Sequence, residues 1–186
     1  MATALIVAGA LLIGGLTPAS ASAYEVPPPA YQLATHRTGV PAEVLYALAL
    51  QESGTVLRGQ VIPWPWTLNV AGKPYRFSSS EAACSALLQS IRDVGAKAVD
   101  VGLGQINIGW NGKRFLQPCD ALDPYRNLAV ATDLLREHKT ADNDWVTAAG
   151  RYHRPAGGVP AARYRRSFAQ HLSRITRPSL QGTKTP

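Results

Sequence analysis

A mainly helical single domain with a small β insertion is predicted by three features of the chain. Apolar residues recur at helical spacing over most of its length, helix punctuation brackets those runs, and one Pro- and Gly-rich stretch breaks the period. With 186 residues, 46% of them hydrophobic, there is enough material for one core, and no internal repeat divides it. Thr38-Gly39-Val40-Pro41 starts the first strong helix, Pro41 being suited to its first turn, and Gly54 offers a left-handed cap at its end. Ser78-Ser79-Ser80-Glu81 reads as a capping box ahead of Ala83, Leu87, Leu88, Ile91 and Val94, and Gly95 stops that helix. Asp123 caps a third helix, Pro124 to about Lys139, with Leu128, Ala131, Leu134 and Leu135 on its apolar stripe. Two more helices are expected at about 143–151 and 160–175. Between 56 and 77, Pro63, Pro65, Gly72 and Pro74 exclude a helix; Thr67–Val70 and Tyr75–Phe77 flank Ala71-Gly72-Lys73-Pro74 as a hairpin would. Val99, Val101 and Leu103 alternate as in a short strand.

The termini and the charge bear on where the chain works. Residues 1–23 carry no charged side chain, run apolar from Ala4 to Leu16 and end in Ala19-Ser20-Ala21-Ser22-Ala23, a signal-peptide pattern with cleavage after Ala21 or Ala23. A periplasmic or exported location is therefore expected. The leader lacks Lys or Arg, so retention as a weak membrane anchor is the alternative, although it is too short and Gly-rich for a membrane span. Residues 24–178 form the expected domain, and 179–186 a disordered tail. The net charge of +7 suits polyanions. Arg163, Arg165, Arg166, Arg174 and Arg177, however, fall mostly on the outer face of a helix whose inner face is Tyr164, Phe168, Leu172 and Ile175, a solvated surface for which no nucleic acid is expected. Cys84 and Cys119 are the only cysteines. Export favours a bond between them, worth about 3–4 kcal/mol in the chain-entropy model, against the alternative of two buried thiols. His36, His138, His153 and His171 lack paired ligand spacing, so no metal is expected, nor any other cofactor.

Glu52 is the residue that asks for a chemical explanation. Val44, Leu48 and Glu52 lie four apart on one helical stripe, with Leu45 on the same face, so the carboxyl follows the core side at the end of an almost wholly apolar helix. Burial and the negative end of the helix dipole both disfavour ionisation there, which suits a general acid near neutral pH. The plainer alternative is a helix-terminal Glu facing water.

Three blocks in one order extend this reading: Gln51-Glu52-Ser53-Gly54, Gly102-Leu103-Gly104-Gln105-Ile106-Asn107, and Ala148-Ala149-Gly150-Arg151-Tyr152-His153. Together they resemble the Glu-Ser, Gly-Leu-Met-Gln-Ile and Tyr-Asn motifs of the soluble lytic transglycosylases, lysozyme-like enzymes that cleave bacterial peptidoglycan. Asp123-Pro124 with Asn127, and Tyr164 at the start of a last amphipathic helix, continue the likeness over roughly residues 36–176. The run Pro63-Trp64-Pro65-Trp66-Thr67-Leu68-Asn69-Val70 is similar to the branch associated with conjugative elements and secretion systems. Gly104 stands where the family has Met, and His153 where it has Asn.

The resemblance implies a lysozyme-like α+β fold and a lyase that breaks the bond between N-acetylmuramic acid and N-acetylglucosamine. In that family one Glu protonates the glycosidic oxygen while the substrate's acetamido group stabilises the anomeric centre. The same Glu then takes the proton of the muramoyl O6 hydroxyl, closing a 1,6-anhydro ring without water. Glu52 is the residue expected in both steps. Asp93 and Asp100 fit surface or turn duty, which leaves no second carboxylate for an ordinary glycosidase. Gln105 and Asn107 are expected to bind substrate, Tyr152 to place its phenol near Glu52, and Ser53 to hydrogen-bond or end the helix. The interval from Glu52 to Gln105 exceeds the family's, so residues 55–98 read as an insertion forming one wall of the groove. Trp64, Trp66 and Tyr75 are expected to stack on sugars there or pack in the core. Glycan strands are the expected partner of a monomer, with a secretion or conjugation apparatus as the wider context. A hydrolytic muramidase of the goose type and a noncatalytic wall-binding scaffold are the rival functions.

Overall fold

The computed structural model describes residues 25–176, so the expected signal peptide and C-terminal tail lie outside the described residues. Its architecture is mixed α+β: helices with two small antiparallel sheets. In chain order the elements are α1 (Pro29–Thr35), α2 (Ala42–Ser53), β1 (Gly54–Leu57), β2 (Gln60–Pro63), β3 (Thr67–Val70), β4 (Lys73–Arg76), α3 (Ser80–Val94), β5 (Val99–Val101), β6 (Ile106–Asn107), α4 (Ile108–Asn111), α5 (Pro124–His138), α6 (Trp145–His153) and α7 (Gly158–Thr176), with short 3-10 turns between some of them.

The centre is α2. Every residue from Val44 to Leu50 is buried, because α1, α5, α7 and β2 pack around the helix. Buried Leu and Val side chains here contribute about 1.5–3 kcal/mol each relative to exposure, and this surround explains why the segment is apolar on all sides and not striped. The caps follow the local chemistry. Asp123 accepts from the Arg126 N–H at the start of α5, and Asp144 from the Thr147 N–H at the start of α6. The cap of α3 is Ser79, which accepts from the Ala82 N–H, one residue later than the Ser78–Glu81 box implies.

The expected hairpin is β3–β4, turned by Ala71 and Gly72, both at positive φ. It joins β5 and β6 in a sheet ordered β4-β3-β5-β6. A second hairpin, β1–β2, is not foreshadowed by the sequence pattern. Gly54 is extended (φ −54°, ψ 135°) and leads straight into β1, so α2 ends without the left-handed cap. The Cys84–Cys119 disulfide is present, with Cα atoms 5.3 Å apart, and ties α3 to the turn before α5. Among the described residues no helix is long and apolar enough to cross a membrane.

Candidate active site

A groove of about 770 Å³ is lined by residues from the end of α2, the β3-β5-β6 sheet, α4, the end of α5 and the end of α6. Glu52 sits in its wall, together with Asp100, Gln105, Asn107, Tyr152 and His153. Its carboxyl is pushed up to about 7, first by burial and further by the negative charge of Asp100; a hydrogen bond from the Tyr164 hydroxyl to Glu52 Oε1, 2.7 Å long, opposes both. The phenol bonded to the carboxyl therefore belongs to Tyr164 on α7, which the sequence assigns to a helix's inner face. Tyr152 also lines the groove, but its hydroxyl donates to the Gly104 carbonyl at 2.6 Å. Burial and the Glu52 charge hold both phenols well above their usual range, so they stay neutral donors.

The folded carboxyl binds its proton more tightly than an exposed one. Between about pH 4.5 and 7 the folded state thus carries the extra proton, and stability declines as pH rises across that window. Chemistry that starts from protonated Glu52 follows the same direction, declining above about pH 7. Tyr164→Phe removes the one interaction that lowers this pKa, and the pH at which Glu52 titrates should move upward; an unmoved titration would show that the phenol does not tune the acid.

The Gly-Leu-Gly-Gln loop is built around Asn127, which is fully buried on α5. Its amide donates to the Val101 and Ala121 carbonyls and accepts from the Gly104 N–H, all at 2.8–2.9 Å. Gly102 is at φ +78°, and a Cβ there would overlap the Asn127 amide and lie 2.8 Å from the Ala121 carbonyl oxygen. A Cβ on Gly104 would lie 2.8 Å from Ala131 Cβ and 3.0 Å from the Tyr152 hydroxyl. A Met side chain has no room at Gly104 with Tyr152 where it is. Gln105, itself at φ 46°, donates through Nε2 to the Gly102 carbonyl at 2.9 Å, leaving its carbonyl oxygen for the groove.

Asn107 is differently engaged. Its Oδ1 caps α4 by accepting from the Trp110 N–H, and its Nδ2 donates to Asp100 Oδ1 at 2.8 Å and to the Lys97 carbonyl. It positions Asp100 and α4 more than it offers free groups to a ligand. Ser53 lies outside the groove: it is 0% exposed and its hydroxyl meets the Ala49 and Leu103 carbonyls at 2.9 Å, fastening α2 to the Gly-rich loop.

Trp64 and Trp66 do not line the groove. They meet edge to face with ring centroids 6.2 Å apart, Trp64 donating its indole N–H to the Phe77 carbonyl while Trp66 packs against the core. Buried polar indole edges need a partner, and here the pair braces the link from β2 to β3 against the end of β4. Of residues 55–98 only Asn69 reaches the groove wall. The exposed aromatic at the groove is Trp110, 66% accessible, with Lys97 Nζ 4.4 Å from its ring centroid. Its signal in the sequence is slight, a single Trp in the four-residue α4. His153 stacks on Tyr164 with centroids 4.4 Å apart, and Arg114 pairs with Glu137 at 2.9 Å along the same groove.

Comparisons of the chain with protein-family models, curated proteins and solved structures found no match.

Proposed function

We propose that the protein is a lytic transglycosylase of peptidoglycan, with a lysozyme-like catalytic cleft. The observation that carries this reading is one partly buried carboxyl, Glu52, held protonated up to about pH 7 and fixed through one oxygen by Tyr164 in the wall of a groove large enough for sugar rings. Protonated Glu52 gives its proton to the glycosidic oxygen between N-acetylmuramic acid and N-acetylglucosamine, and the bond from that oxygen to the anomeric carbon breaks. The resulting Glu52 carboxylate takes the proton from the muramoyl O6 hydroxyl, and O6 closes the anhydro ring on the same carbon. Burial beside neutral phenols suits a group that must hold a proton, release it and recover it at one pH.

The hydrophilic wall of Asn69, Gln105, Asn111 and His153 and the exposed Trp110 face suit a polyhydroxylated ligand, with the indole as the stacking surface. The signal-peptide pattern and the Pro63–Val70 resemblance support export and a role in local wall opening for conjugation or secretion. A hydrolytic muramidase would employ the same Glu52 with water in place of O6. Mass spectrometry of digested peptidoglycan decides between them: 1,6-anhydromuramoyl ends are expected, and hydrated reducing ends alone would overturn the reading. Trp110→Leu should weaken binding to glycan strands roughly tenfold with the melting temperature unchanged, because the ring is exposed. Equal binding by that variant would remove the indole from the substrate site.

A further inference from the structure

The floor of the groove carries a polar row set by strand pairing. In the β3-β5-β6 sheet Asn69 is paired with Asp100 and Asp100 with Asn107, so the three side chains share one face in cross-strand register. All three line the groove with Glu52. The neighbouring row Leu68, Val101 and Ile106 points the other way and is buried in the core. Strand alternation therefore fixes Asp100 toward the ligand side as firmly as it fixes Val101 inward.

Of the three carboxyls that line the groove, Glu137 is paired with Arg114, while Glu52 and Asp100 are held alike. Glu52 is pinned through Oε1 by Tyr164, and Asp100 through Oδ1 by Asn107 at 2.8 Å. The second oxygen of each has no hydrogen-bond partner among the described residues. The Asp100 charge raises the pKa of Glu52, while Asp100 is itself raised by burial and lowered by the Asn107 hydrogen bond and by His153. A carboxylate kept partly desolvated next to an acid has an energetic cost that a surface or turn residue would not carry.

Resting on the transglycosylase reading, we infer that Asp100 is a second catalytic residue, which accepts the N–H of the muramoyl 2-acetamido group and turns its carbonyl oxygen onto the anomeric carbon. As the Glu52 proton moves to the leaving oxygen, the acetamido oxygen bonds to the anomeric carbon and the N–H becomes strongly acidic. The free Asp100 oxygen receives that hydrogen bond, or the proton itself, and offsets the positive charge developing on the ring. When O6 attacks and its proton passes to Glu52, the bond to the acetamido oxygen breaks and Asp100 returns the N–H proton. Protons and bonds balance without water. Asn107 is then the positioning residue that orients Asp100, and a carboxylate stands between Asn69 and Asn107 because a neutral amide cannot carry the compensating charge.

The test uses the full chain and a muramoyl thiazoline, the stable bicyclic mimic of the cyclised intermediate, whose ring nitrogen would meet Asp100. Wild type is expected to bind it by calorimetry, and Asp100→Asn and Asp100→Ser to lose at least about 100-fold in affinity while melting near wild type and binding an intact glycan oligomer with little change. The kcat for glycan cleavage should drop by about 10²-fold or more with KM nearly constant. The alkaline limb set by Glu52 should also move to lower pH, since a charge that raises its pKa is gone. Thiazoline binding that is absent in wild type, or unchanged in both variants, overturns the assignment even if the enzyme proves inactive. Anhydro products made by both variants at wild-type kcat overturn it while leaving the transglycosylase reading intact. Hydrated ends from wild type that disappear in both variants make Asp100 a base for water, and both readings then fail.

Discussion

Glu52→Gln should lower turnover on peptidoglycan by at least about a thousandfold with the fold preserved, the scale expected when an essential acid/base is removed. Gln keeps the size of the side chain and still accepts from the Tyr164 hydroxyl at Oε1, so the contact between α2 and α7 survives. On the proposed mechanism, what it loses is the proton that leaves for the glycosidic oxygen and the lone pair that recovers one from O6. Stability should become less pH-dependent as well. The wild-type carboxyl is raised from 4.5 to about 7, so ionising it near neutral pH costs on the order of 3 kcal/mol, and an amide in its place has nothing to ionise. The variant should therefore melt higher than wild type above pH 7 and about equally below pH 4.5. Calorimetry at both pH values beside a cleavage assay checks the pair of expectations. Residual activity near wild type would remove Glu52 from the chemistry, and a stability gain equal at both pH values would show that its carboxyl is not the strained group.

What the sequence conveys about this site depends on how local each signal is. Glu52 is legible because it is a carboxyl in the last turn of a helix that is otherwise almost wholly apolar, and that signal belongs to one helix. The helices α5 and α7 are legible through the Asp123 cap and the periodicity of the final segment. The β1–β2 hairpin is not, since its turn is Arg58-Gly59 with a positive φ on Arg58, a residue that carries no such preference, and Gly54 mimics a helix stop. Tyr164 and Asp100 are harder for another reason. Alternation of Val99 and Val101 already sets Asp100 on the opposite face of β5, but only the packing of α2 and α6 turns that face into a groove wall. Tyr164 reads as an inner-face aromatic, which is correct as burial. Its partner is a carboxylate 112 residues away, and no local pattern reports that. The Trp pair is misleading for the converse reason: tandem Trp in a Pro-rich segment looks like a sugar platform, yet the short link between β2 and β3 leaves the indoles bracing two strands.

Asn127→Ala should be the most destabilising single change near the site, lowering the melting temperature by about 10 °C or more. One amide satisfies two backbone carbonyls and one backbone N–H, on Val101, Ala121 and Gly104, and Asn127 is fully buried. Each orphaned buried group costs about 1–3 kcal/mol, so the sum reaches several kcal/mol, and a chain of this size loses about 2–4 °C for each. The damage should not stop at stability. Gly104 holds the Tyr152 hydroxyl by its carbonyl and carries Gln105 on its C-terminal side, so a loosened loop misplaces both against Glu52. Activity measured well below the variant's melting temperature should still fall at least about tenfold. Asn127→Asp sharpens the case: it retains an acceptor for the Gly104 N–H but loses both donors and introduces a buried charge. It should be no more stable than the Ala variant at neutral pH and should recover on acidification, when the protonated carboxyl regains one donor. If Asn127→Ala instead melts within a degree or two of wild type, the loop is held by its glycine geometry alone, and Asn127 is not its anchor.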